Sequence, residues 1–293
     1  GPCSMLDAST FTDTDVINLA NEHFINLKID AETDYGRELF NQYNGTGYPL
    51  IVFLDKDGIE IDRFAGYVPA YEFINKMNDV LSGENILSSY LEQYNQGNHT
   101  AELVKKLANK YNDKGEYKIA LRYYKELSKT ANLSLSDFNV AKYHIASLSL
   151  KDNNTDLIIE YLEQYKESEY FERATYDLID YYKANQMEFE ELSIYKLYLQ
   201  YFMENSNFLN TYAWRMTELN RNLDDALDKV DLSLSLIDEN NQMYPMILDT
   251  KAEVLWKLDK TDEAIKVIDK AILLDSESQY YKAQKEKFLN SNL

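Results

Sequence analysis

The sequence predicts an α/β region followed by an all-α region built of helix pairs. Three observations carry that reading. Through about residue 84, short β-type runs alternate with helical ones between glycine and proline signals. From about residue 85 the glycines nearly vanish, and helices of three to four turns follow one another through short Asn/Asp/Ser connections. Alanines then recur at intervals that suit a helix-pair repeat.

In the first region, taken as residues 1–84, "FINLKID" (24–30) reads as a strand. "PLIVFLDKDG" and "IEIDRFAGY" read as two more, joined at Asp57-Gly58, a strong hairpin signal. Between the first strand and the hairpin, "DYGRELFNQYN" has helical spacing and stops at Asn44-Gly45. Pro69 then opens a helix whose apolar stripe is expected at Tyr71, Ile74, Met77 and Leu81. The expected order is helix, strand, helix, hairpin, helix.

In the second region, residues 85–293, the clearest pairs carry Ala120, Ala226 and Ala264 early in their second helices. Ala226 and Ala264 are 38 residues apart, and the 106 residues from Ala120 to Ala226 divide into three intervals of about 35. A small side chain at that point lets two helices approach closely. This region resembles the tetratricopeptide repeats, with Ala252, Leu255, Ala264, Ile268 and Ala271 matching the small/large/small pattern of the last unit. The units around 135–204 are degenerate, and "SESQYYKAQKEKFLN" reads as the capping helix of an open-ended array.

Composition excludes several functions. Fifty acidic against 30 basic side chains leave a net charge of −20, with no Lys/Arg run to meet phosphate, so nucleic acid and anionic membrane are poor partners. No apolar run approaches the roughly 20 residues of a membrane span. His23, His99 and His144 lack metal-ligand spacing beside the lone cysteine and read as surface or packing residues; no metal or cofactor is expected. Most of the 25 tyrosines recur at helical spacing and read as packing between repeats. The acidic pairs of "FEELSIY" and "NLDDALDK" read as solvated helix faces and first turns.

The candidate chemistry lies at Cys3. It follows Gly1-Pro2 and opens a helix-like run, where backbone N–H groups and the helix dipole favour thiolate. Pro49, after "GTGY" and just before a strand, is a candidate cis-proline.

With these residues in view, the first 84 residues resemble a thioredoxin-fold domain of the bacterial class with Cys-Gly-Pro-Cys. Gly1, Pro2 and Cys3 match the last three positions of that redox motif. Asp30 ends the strand after the active-site helix, Pro49 matches the cis-proline, and Gly66 matches the glycine after the final strand.

The resemblance implies thiol-disulfide exchange. A cysteine just upstream of Gly1 would attack a disulfide-containing protein substrate, Cys3 would resolve the mixed disulfide, and an upstream reductant would reset the pair. Tyr48 and Pro49 would position an extended substrate segment. It also implies a sequence truncated at the redox motif, with a central strand lost from between "FINLKID" and "PLIVFLD", leaving strand edges unpaired. The repeats would bind a protein or peptide, with a basic ligand favoured by the net charge. An oxidising bacterial periplasm or envelope suits such work. The alternative is a non-catalytic scaffold or peptide-binding module in which the redox fold is a relic.

Overall fold

The computed structural model describes residues 1–290 and divides them into two compact units, Gly1–Leu178 and a second beginning at Ile179. The dividing point falls inside the helix Phe171–Ala184.

The first unit opens with α1 (Pro2–Met5), continued by a π-helical turn over Leu6–Thr10. Helix α2 (Thr14–His23) starts where Asp13 accepts hydrogen bonds from the Asp15 and Val16 amides, satisfying two of the N–H groups a helix start leaves open. Helix α3 (Asp34–Gln42) is capped in the same way by Thr33. Gly36 is required there: a Cβ at that position would lie 1.9 Å from the Asp30 carbonyl oxygen.

Strands β1 (Leu50–Leu54) and β2 (Glu60–Ala65) pair antiparallel, with Leu50 opposite Ala65 and Phe53 opposite Asp62. The turn between them is held by Asp55, whose carboxylate accepts from the Asp57 and Ile59 amides, and by Gly58 at φ 78°. Helix α4 (Ala70–Ser82) ends on Gly83 in the left-handed region. The core of this α/β region gathers Val16, Phe53, Phe64, Val68, Phe73 and Met77, with Phe64 and Phe73 edge to face at 5.7 Å.

Two expectations for the α/β region require correction. Residues 24–30 form no strand: among the described residues the sheet has two strands, and no ladder bonds reach this segment. A strand exists only by pairing, and β1 pairs with β2 alone. Phe24 still packs inward on Phe53 at 5.6 Å, while Ile25 and Leu27 stand 93% and 80% exposed. The buried face of α4 is also not the expected stripe. Phe73 and Met77 are buried, whereas Tyr71 and Leu81 are exposed, and Pro69 sits at the N-cap. The i, i+4 pair Phe73/Met77 is chosen by the aromatic core it meets.

The first unit continues with α5 (Leu87–Asn95), α6 (Ala101–Asp113), α7 (Tyr117–Leu127), α8 (Leu135–Ser149), α9 (Asp156–Gln164) and the start of α10 (Phe171–Ala184). Helices α6 and α7 pack face to face around Leu107, Ala108, Ala120 and Tyr124.

The second unit holds the end of α10, then α11 (Glu188–Tyr198), α12 (Ser206–Leu219), α13 (Leu223–Ser235), α14 (Tyr244–Lys257), α15 (Thr261–Leu274) and α16 (Gln279–Asn290). The pairs α12/α13 and α14/α15 pack closely, and α16 packs on α15 while burying Phe288 against Trp256 of α14. The chain is therefore an α/β region followed by a helix-pair solenoid.

The repeat is more regular in space than in sequence. Ala120, Ala226 and Ala264 each occupy the fourth position of their helix and are fully buried. The two missing places are filled by Ile158 and Glu191, both fully buried, giving intervals of 33 to 38 residues along the whole series. Glu191 thereby corrects the reading of "FEELSIY" as a solvated face. Its carboxylate is buried against Arg215, at 2.6 Å from Nε and 2.8 Å from Nη2. Burial is tolerated because a guanidinium satisfies both oxygens at once.

Candidate functional site

Cys3 lies in the first turn of α1, behind Pro2, and its thiol is free and exposed. The segment after it is tied to the rest of the α/β region rather than hanging loose. The buried Thr10 hydroxyl donates to the Val68 carbonyl at 2.6 Å, and the Phe11 ring meets Phe73 edge to face at 5.6 Å.

Pro49 follows a cis peptide bond from Tyr48 and immediately precedes β1. Its carbonyl accepts from the Gly66 amide at 2.8 Å, which brings these two sequence candidates into direct contact. Gly66 has φ 88°, a left-handed value that explains the glycine. Tyr48 is half exposed, and its ring stacks on Phe40 of α3 at 4.5 Å. Gly45 is confined beneath the same ring, since a Cβ there would come within 2.3 Å of Phe40. Asp30 acts as a turn residue: its carboxylate accepts from the Glu32 amide and its carbonyl from the Thr33 hydroxyl. Among the described residues, no hydrogen bond joins Cys3 to Tyr48, Pro49 or Gly66.

Several charged groups escaped the sequence reading because their partners are far along the chain. Asp62 on β2 is buried and receives both its contacts from Lys110 of α6, at 2.6 and 2.5 Å. Arg63, also buried, holds Glu60 by donating from Nε and Nη2 along one guanidinium edge, with Nε to Oε1 at 2.8 Å. In the second unit, Asp249 and Glu253 lie one turn apart on α14 and are both buried. Gln284 of α16 donates to Asp249 at 3.2 Å, and Lys287 reaches Glu253 at 2.6 Å. Burial pushes the Asp249 carboxyl up to about 6, against the pull of its hydrogen bonds from Gln284 and Tyr280.

The histidines fall on packing positions or at the surface. His144 stacks on Tyr124 at 4.3 Å, and burial pushes its imidazole down to about 4. No group of three or more metal-ligating side chains occurs among the described residues. No helix there is long and apolar enough to cross a membrane.

Residues 1–81 match the family model of a thioredoxin-like domain. No curated protein matches the chain. Among solved structures, the apo form of the quorum sensor NprR from B. thuringiensis is similar over 75% of this chain and 55% of its own length, with 15% identity and a TM-score of 0.32. The yeast Tom70 crystal structure is similar over 92% of this chain and 59% of its own, with 17% identity and a TM-score of 0.37. The chain thus spans little more than half the length of either protein.

Proposed function

We propose that the chain is the redox and partner-binding part of a thiol-disulfide oxidoreductase. The observation that carries this reading is the thioredoxin-like match over residues 1–81, which takes in Gly1-Pro2-Cys3 with its free, exposed thiol. The match also supports a functional boundary near residue 84, with residues 85–293 as the partner-binding helical part.

In this reading a cysteine directly preceding Gly1 in the full-length protein attacks a substrate disulfide as thiolate. One substrate sulfur leaves as thiolate, and the other is held in a mixed disulfide. Cys3 then attacks the enzyme-side sulfur, closing an internal disulfide and releasing the substrate as a dithiol. Two electrons pass from the cysteine pair to the substrate, and a reductant of the dithiol class restores the pair. Tyr48 and Pro49 position the extended substrate segment without joining the bond exchange.

A second reading, a non-catalytic scaffold, is favoured by the exposed Ile25 and Leu27, which leave apolar surface open to a partner. The residue encoded before Gly1 separates the two. Cysteine there supports exchange, and any other residue removes dithiol chemistry. The activity test is reduction of insulin disulfides by the full-length protein. Cys3→Ser should abolish turnover, and equal rates in both proteins would remove Cys3 from the mechanism.

A further inference from the structure

The loop that carries Tyr48 and Pro49 is not supported by the α/β region alone. Asn44 opens it in the left-handed region at φ 48°, and its carbonyl lies within 3.4 Å of Arg63 Nη1. On its other side is Gly115, in the turn between α6 and α7. Gly115 has φ 73°, and a Cβ added to it would sit 3.3 Å from the Asn44 carbonyl oxygen and 3.5 Å from the Thr46 methyl. The backbone of the first complete helix pair therefore lies directly against the loop, at a distance only glycine permits without displacement.

The same helix pair is fixed to the sheet by charge. Lys110, one turn before the end of α6, reaches from a half-buried position to the buried Asp62, next to the Arg63 that faces Asn44. Parting the two would leave the Asp62 carboxylate buried without its partner, which holds this contact more firmly than a fully exposed pair. A groove of about 310 Å³ lies alongside, lined by Arg63, Leu87, Leu91 and Lys114 among others. Residues 1–178 form one compact unit, so these contacts lie within a single packed body.

We propose that the α6–α7 pair is a positioning element for the Asn44–Pro49 loop: Gly115 buttresses the loop and the Asp62–Lys110 pair sets the height at which it does so. The functional consequence rests on the reading of Tyr48 and Pro49 as the substrate-positioning residues. The helical region then does more than recruit a partner. Its first pair is part of the redox site, and displacement of α6–α7 changes how a substrate segment is held.

The test is amide hydrogen exchange on the full chain, comparing wild type with Gly115→Ala, Lys110→Met and the conservative Lys110→Arg. Exchange over residues 43–48 and β1 should rise on the order of tenfold in Gly115→Ala and Lys110→Met. Lys110→Arg should restore most of the protection, and α12–α15 should be unchanged in all three. Loop exchange at the wild-type rate in both disruptive variants would overturn the proposal. Gly115→Ala changes one methyl group and keeps the test open should Lys110→Met not fold.

In the full-length protein, Gly115→Ala should raise KM for insulin several-fold and leave kcat within about twofold, since bond exchange itself is untouched. Altered exchange in a protein without reductase activity would leave the coupling standing and refute the redox reading. Reductase activity with an unaltered loop would do the reverse.

Discussion

Two titratable residues in packed surroundings, half-buried His144 and buried Asp249, give opposite pH responses. His144 is held neutral against Tyr124, its pKa lowered from 6.5 to about 4 by burial. A depressed pKa means stability that is complete above 6.5 and is lost as pH falls through about 4, a contribution on the order of 1–3 kcal/mol for a half-buried ring. Urea denaturation between pH 7 and 4 should show that loss, and His144→Phe, which keeps a stacking ring, should flatten it. An unchanged acid limb in the variant would show that other groups govern it. Asp249 acts in the other sense, because its pKa is raised to about 6 by burial. Stability from the neutral acid is complete below 3.8 and lost as pH rises through about 6. Asp249→Asn should therefore stabilise the second unit at pH 8 by about 1–2 kcal/mol, after discount for solvent reaching a site that is not fully enclosed, and leave it little changed at pH 4. A variant less stable at both values would mean that the carboxylate is needed as such.

At the scale of elements, the α10–α13 stretch shows how a repeat survives an unlikely residue. Ala120, Ala226 and Ala264 mark close helix approach, so their period was readable in the sequence. Glu191 holds the same fourth position, and Ile158 the third of its helix, with different chemistry. The intermediate units looked degenerate because the compensation for Glu191 lies 24 residues away on Arg215. Arg215→Met should cost about 3–5 kcal/mol by leaving a buried carboxylate alone, and the double variant Glu191→Ala/Arg215→Met should recover much of it. Chemical denaturation of wild type, both single variants and the double variant checks this; additive losses would show that the two residues act independently. The strand expected at 24–30 failed for a different reason. Alternation in "FINLKID" records a tendency to pair, and pairing depends on a neighbour that the segment itself cannot specify.

For the whole molecule, the order of an α/β region and a helix-pair array was legible, because glycine, proline and hydrophobic period change together near residue 84. So were the hairpin at Asp57-Gly58 and the small residues of the last repeat, since their signals are local. Contacts between the two regions were not legible. Asp62 and Lys110 are 48 residues apart, and Gly115 gives no hint in sequence of the Asn44 carbonyl it faces. The compact unit reaching Leu178 shows that packing ignores the boundary at which the family match stops. The account as a whole turns on whether Cys3 resolves a mixed disulfide. The direct measurement is covalent trapping by the full-length protein carrying Cys3→Ser, read on non-reducing gels after incubation with a disulfide substrate. The account predicts a substrate adduct that accumulates in the variant, is absent from wild type and disappears with dithiothreitol. No adduct in the variant, with wild-type turnover retained, would contradict it.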